Sequence, residues 1–236
     1  EQLLIADDAG RIVRTVSAGT YTNQVTGLDT TSYEPNFAAI NNNVYFCNGV
    51  DTVRSINASN GNAAPTGAPI SRYLEVHKNY LFYWNGIGAG NRSRLQWSNR
   101  GDGDTYTSTN FEDIFPNEGA QGTGMRSFGD ELILFKGPID NSESFERSSM
   151  FRIIGDTFDQ TNPTFYIERI PLPVGVGCVH GRTARVYGDA LFFSTNAGVF
   201  AYLGGGRIPI RISDSIKGDI VDLGSSLNNF WMTEEG

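Results

Sequence analysis

Histidine and cysteine are scarce in this chain of 236 residues, which holds two of each. Cys47 and Cys178 stand too far apart for a disulfide framework or for metal-ligand spacing, and both read as buried thiols. His77 and His180 lie outside any motif, so a Ser-His-Asp or Cys-His arrangement for nucleophilic hydrolysis finds no framework here. The Cys178-Val179-His180 pair has no second ligand cluster to complete a tetrahedral site and reads as structural. No apolar run approaches the roughly 18 residues that cross a bilayer, so a soluble chain without a membrane partner is expected. Positive charge is short as well. The 18 Lys and Arg against 26 Asp and Glu leave a net charge of −8, the wrong sign for a surface built to grip phosphates. The expectation is a protein with no cofactor, no metal and no enzymatic activity.

Helical periodicity is the next absence: almost no window keeps apolar residues at three- and four-residue spacing over ten positions. What is present is a series of short β-branched and aromatic runs bounded by Gly, Asn and Asp, at residues 3–5, 44–46, 80–84, 132–135 and 191–193. The last four follow the turn pairs Asn42-Asn43, Lys78-Asn79, Gly129-Asp130 and Gly188-Asp189. Each run is followed by a second strand, at 11–16, 53–56, 95–97, 150–154 and 199–203, which makes five hairpins. First strands recur at separations of 41, 36, 52 and 59 residues by subtraction. That is near the roughly 40–50 residues of a propeller blade. The expected fold is all-β, a β-propeller of five or more hairpin or blade units with little helix, in a single domain over 1–236. A β-sandwich or a pair of barrels is the competing architecture. Residues 61–69 and 138–149 lack strand patterning and read as surface loops. The chain opens on a strand pattern without Met and stops after an aromatic pair, which suits part of a longer polypeptide.

Three stretches invite a chemical reading. Residues 98–106 place Asp102 and Asp104 around Gly103, as in an Asp-box turn or the start of a calcium loop. The box spacing and the downstream Glu are absent, and a turn with Asp side chains capping local N–H groups fits better. Gly204-Gly205-Gly206 before Arg207 has the glycine content of a phosphate cradle, without the Lys-Ser or Lys-Thr and the helix that such a cradle needs, and reads as a hairpin loop. Gly86, Gly88 and Gly90 have a dinucleotide-like spacing, but the strand before them leads into another strand. Arg207, Arg211 and Lys217 alternate with Ile208, Ile210 and Ile212. They form the one candidate interaction surface, either a solvated strand face or a patch for DNA or a partner.

From Glu75 onward the order of segments is distinctive. Leu95-Gln96-Trp97-Ser98 leads into an acidic turn, and Glu131-Leu132-Ile133-Leu134-Phe135-Lys136 follows, then Val176-Gly177-Cys178-Val179. After these come residues 188–194, 198–202, Ile208-Pro209-Ile210 and Ser213-Asp214-Ser215-Ile216. This order resembles the phage tail-hub or nozzle proteins of short-tailed phages, often described as packaged-DNA stabilisation proteins, over about two thirds of the chain. The resemblance implies a β-propeller with barrel-like additions, located in the virion. It also implies a homo-oligomeric ring of six copies that joins portal or adaptor proteins to tail fibre or tail needle proteins. Genomic DNA would pass through the ring without specific binding. A net negative lumen suits such passage, because it avoids the counterion-releasing contacts that would hold the duplex in place.

The rival class is a carbohydrate-binding or sialidase-like propeller, in which Trp84 and Trp97 would be stacking platforms for sugars. The location of those two indoles discriminates between the readings. A protein-interaction scaffold of the WD or kelch kind lacks the Trp-Asp and Gly-Gly signatures expected at each blade.

Overall fold

Apolar runs of three to seven residues, closed by two-residue turns, leave the chain little choice but to fold back on itself antiparallel. The computed structural model describes residues 4–17, 20–30, 35–57, 62–86, 91–118, 120–137, 149–158, 164–173, 178, 181–195 and 197–213. Residue contacts divide the chain into two compact units, Glu1–Glu112 and Asp113–Gly236.

The first unit holds three antiparallel sheets. They are β1 (Leu4–Ala6), β2 (Ile12–Ser17) and β3 (Thr20–Val25); β4 (Asn36–Ile40), β5 (Asn43–Cys47), β6 (Arg54–Asn57) and β7 (Asn62–Ala63); and β8 (Ser71–His77), β9 (Tyr80–Gly86), β10 (Arg94–Trp97) and β11 (Phe111–Asp113). The second unit holds β12 (Gln121–Phe128), β13 (Glu131–Gly137), β14 (Ser149–Ile154) and β15 (Tyr166–Ile170), then β16 (Arg185–Tyr187), β17 (Ala190–Thr195), β18 (Gly198–Tyr202) and β19 (Ile210–Arg211). In every sheet each strand lies beside its neighbour in sequence, so all five are simple meanders. Among the described residues the helical content is two single 3₁₀ turns, Pro116–Glu118 and Gly181–Thr183. The all-β expectation with little helix holds.

All five expected hairpins are present, as β1–β2, β5–β6, β9–β10, β13–β14 and β17–β18. The structure adds strands on either side of them. The turn Lys78-Asn79 closes β8 onto β9 with His77 opposite Tyr80, and both turn residues take positive φ, the type I′ geometry that matches strand twist. Gly129-Asp130 and Gly188-Asp189 close β12 onto β13 and β16 onto β17 in the same two-residue way. In the second sheet the turn residues are Asn41 and Asn42, one position earlier than expected, because Ile40 pairs with Asn43. Residues 61–69, expected as a loop, contain β7 and a bridge from Thr66 to Thr105. Residues 138–148 lie outside the described residues, and Ser149 opens β14.

Strand period sets the core. On β5, Phe46 turns to one side to join Ile12, Val25 and Ile56, while Tyr45 and Cys47 turn to the other and meet Leu74, Leu81 and Tyr83. The middle sheet of the first unit is therefore apolar on both faces. In the second unit Ile133, Phe135, Met150 and Ile170 pack against Leu191, Phe193, Phe200 and Tyr202, with the Phe135 and Phe193 ring centroids 5.1 Å apart. Strands β9 and β13 are buried along their whole length, and each large side chain so covered contributes roughly 1.5–3 kcal/mol.

Two backbones come unusually close where β12 passes the 3₁₀ turn at Gly181. A Cβ added to Gly124 would sit 2.0 Å from the Gly181 Cα. Neither position tolerates a side chain without moving main chain. Gly124→Ala is expected to cost about 3 kcal/mol or more, read as a lowered urea midpoint at unchanged slope.

Candidate functional site

Glu131 opens β13 immediately after the Gly129-Asp130 turn and is nearly buried. Its carboxylate gathers three donors: Arg152 Nη1 at 2.6 Å, the Tyr202 hydroxyl at 2.6 Å and the Gly205 backbone N–H at 3.0 Å. Arg152, on the neighbouring β14 opposite Ile133, also donates through Nε to Glu168 at 2.8 Å. The Tyr202 oxygen accepts the Gly206 N–H at 2.9 Å. Burial, with the Glu131 carboxylate beside it, holds the Tyr202 phenol above its ordinary pKa, so it stays a proton donor. For Arg152 burial works against the charge, but hydrogen bonds to Glu168 and Glu131 outweigh it, and the guanidinium remains firmly protonated.

This network explains Gly204-Gly205-Gly206. All three take positive φ, and a Cβ at Gly206 would lie 2.9 Å from the Arg152 guanidinium. Two backbone N–H groups of the run are used within the fold, Gly205 on the Glu131 carboxylate and Gly206 on the Tyr202 hydroxyl. The hairpin-loop reading stands.

Lys136, at the far end of β13, is fully buried and donates to the Ile114 and Phe115 carbonyls, both at 2.7 Å. Phe115 has positive φ and its ring stacks on Phe151 at 5.1 Å. The ammonium therefore pins a strained connection to the strand.

In the first unit the turn at 98–106 does more than cap itself. Asp102 Oδ1 accepts the Asp104 N–H at 2.9 Å, the local turn expected. Asp104 instead reaches into the neighbouring sheet, accepting from Asn43 Nδ2 at 2.9 Å and from the Tyr45 hydroxyl at 3.0 Å. Gly103 lies flat on the Tyr45 ring, where an added Cβ would come within 2.6 Å, and its carbonyl accepts the Tyr106 hydroxyl. Asn41 Nδ2 donates to the Gly101 carbonyl at 2.6 Å. Burial raises the Tyr45 and Tyr106 phenol pKa values. The turn is a rivet between two sheets.

The residues singled out from sequence are not brought together. Arg207 is exposed, Arg211 is half-buried with its chain over Gly198, and Lys217 lies outside the described residues. Ile208, Ile210 and Ile212 face solvent alongside Arg207. His77 is buried against Phe82, and His180 lies outside the described residues. Cys47 and Cys178 are both buried thiols outside any disulfide, as expected. Trp84 and Trp97 are fully buried, so neither indole offers a face to a sugar. Among the described residues no three of His, Cys, Asp and Glu converge on a metal position, and no helix is long and apolar enough to cross a membrane.

Three outcomes follow from this geometry. Tyr202→Phe is expected to cost about 1–2 kcal/mol in urea unfolding, through the lost charge-assisted hydrogen bond to Glu131 and the lost acceptor for the Gly206 N–H. Because the Tyr202, Tyr45 and Tyr106 pKa values are raised in the folded chain, their contribution is complete below the ordinary value of 10.0 and fades as pH rises beyond it. An alkaline titration of stability should fall above that point, with a shallower slope in Tyr202→Phe. Lys136→Met, which takes the donor from the buried Ile114 carbonyl and from that of Phe115, should lower stability by about 2–3 kcal/mol.

No protein family matches the chain, and no curated protein matches it. Solved structures do. The N-terminal domain of Nup159, a β-propeller, is 10% identical at a TM-score of 0.53, with 92% of this chain and 64% of that one covered. PorZ, a surface component of the type-IX secretion system of Porphyromonas gingivalis, is 13% identical at 0.50, with 89% of this chain and 26% of that one covered. The chain thus spans less than two thirds of the length of either structure. At these identities the likeness concerns fold alone, and the fold is all-β and propeller-like.

Proposed function

We propose that the chain is a structural subunit of a phage tail hub, nozzle or head-to-tail joining ring, part of the conduit through which DNA leaves the particle, with no reaction chemistry of its own. The observation that carries this reading is the employment of the ionisable groups. Glu131, Arg152, Lys136, Tyr202 and Asp104 are all spent on fastening strand to strand or loop to sheet. A stiff part needs such fastening, whereas an enzyme keeps some of these groups available to a substrate. The ordered segments from Glu75 onward support the choice of phage assembly, and the −8 charge suits a wall that DNA slides past.

The expected partners are further copies of the chain in a ring, six by resemblance, together with portal or adaptor proteins and tail fibre or needle proteins. Imaging of intact particles carrying a labelled copy of this chain tests the assignment. Label at one vertex in the tail is the expected result, and label elsewhere or particles without it reject the reading. Purified protein should bind duplex DNA no more tightly than roughly 10⁻⁴ M at physiological salt, the weak end of non-specific binding. Tighter binding that weakens steeply with added salt would reject the sliding wall.

A further inference from the structure

An Asn or Asp followed by Gly can close on itself, because a glycine nitrogen is unhindered enough to attack the preceding side-chain carbonyl carbon. The chain has four such pairs: Asn48-Gly49, Asn60-Gly61, Asn85-Gly86 and Asp102-Gly103. Asn60-Gly61 lies outside the described residues. Attack takes the nitrogen out of the planar peptide, so it needs a side chain free to turn and an N–H that no acceptor holds. Asn48-Gly49 fails on both counts. Asn48 is buried, its Oδ1 accepts the Val50 and Asp51 N–H groups, its Nδ2 donates to Asp51 at 2.6 Å, and the Gly49 N–H donates to the Ser71 carbonyl at 2.9 Å. Asn85 is buried too, and the Gly86 N–H donates to the Asn91 carbonyl at 3.0 Å. Asp102 is exposed. In its turn the N–H groups of residues 101, 102 and 104 donate to Asn79, Asn99 and the Asp102 carboxylate, while no acceptor among the described residues takes that of Gly103. The bond from the Asp104 N–H to Asp102 Oδ1, 2.9 Å long, draws the carboxyl group over the Gly103 peptide unit.

We propose that Asp102-Gly103 is a site of spontaneous isoaspartate formation, and that the modification releases the rivet between the turn at 98–106 and the sheet β4–β7. The Gly103 nitrogen bonds to the Asp102 carboxyl carbon, and the carboxyl OH leaves with the nitrogen's proton as water, which closes a succinimide ring. Water then adds at the ring carbonyl that had been the main-chain carbonyl of Asp102. That carbon–nitrogen bond breaks, and the chain runs on through the former side-chain carbon. One water is lost and one regained, so the mass is unchanged. The main chain is longer by one methylene, and a carboxylate stands where the carbonyl was. The turn has no room for the shift, since even an added Cβ on Gly103 would come within 2.6 Å of the Tyr45 ring. Gly103 must lift off that ring, and Asp104, next in the chain, is carried away from Asn43 Nδ2 and the Tyr45 hydroxyl.

The test ages the full chain in warm neutral buffer, folded and in urea, and maps the products by peptide mass spectrometry. Isoaspartate at 102 is read as a second peptide of unchanged mass that an aspartyl-specific protease no longer cuts, and as methyl transfer from S-adenosylmethionine by an isoaspartyl methyltransferase. In the folded chain position 102 should carry at least about tenfold more product than 48 or 85, because those two react only after local opening. In urea the order should reverse, since an amide leaves more readily than a carboxylate once the fold no longer shields it. Asp102→Ser keeps an acceptor for the Asp104 N–H and cannot cyclise. It should age with its thermal melt unchanged, whereas aged wild type should gain a lower-melting fraction that holds the isoaspartate. Absence of isoaspartate at 102, or conversion at 48 or 85 equal to it in the folded chain, overturns the site. Isoaspartate at 102 with an unaltered melt overturns the release of the rivet.

Discussion

A β-sheet has two faces, and a sheet whose strands are apolar on both must find cover on both. That constraint organises this chain. Strand β5 sends Phe46 one way and Tyr45 and Cys47 the other, and each side meets the apolar face of another sheet. Strands β9 and β13 carry it furthest, with no residue left to solvent. Meander order satisfies the constraint cheaply, since each sheet is complete before the next begins and, within each unit, neighbouring sheets share a core.

Apolar faces alone would let sheets slide over one another, and the polar side chains prevent it. Asp104 ties the turn after β10 to Asn43 and Tyr45 on the second sheet. Glu131 ties β13 to β14 through Arg152 and to the fifth sheet through Tyr202 and Gly205. A buried carboxylate is tolerated because three donors replace the water it loses, and removing any one donor would leave the others facing an undersatisfied charge. Such groups are conspicuous in sequence as candidates for catalysis. Their role here is to set register between sheets.

Hairpins were the most legible part. Residues 80–84 and 132–135 are continuous apolar runs because both faces of β9 and β13 are covered, and such runs announce themselves without any partner in view. The flanking strands are quieter. Strand β3, Thr20–Val25, is polar and exposed over most of its length, and β7 has two residues, so neither has an apolar signal to read. A signal for the strands that open the last four sheets was nonetheless present. A two-residue turn such as Lys78-Asn79 closes a hairpin, so an unseen strand had to precede it.

Period-two patterning, turn chemistry and the scarcity of His and Cys depend only on neighbours along the chain, and they were enough to specify antiparallel sheets, little helix and two buried thiols. Which carboxylate meets which hydroxyl was decided by tertiary packing. Glu131 and Tyr202 are 71 positions apart and Asp104 and Tyr45 are 59, and no local pattern encodes a pairing made only when separate sheets stack. The segment at 207–212 shows the same division. Its alternation of Arg and Ile was plain from the start, but a strand presents one set of side chains to each side, and only the position of the core revealed that the isoleucines face out.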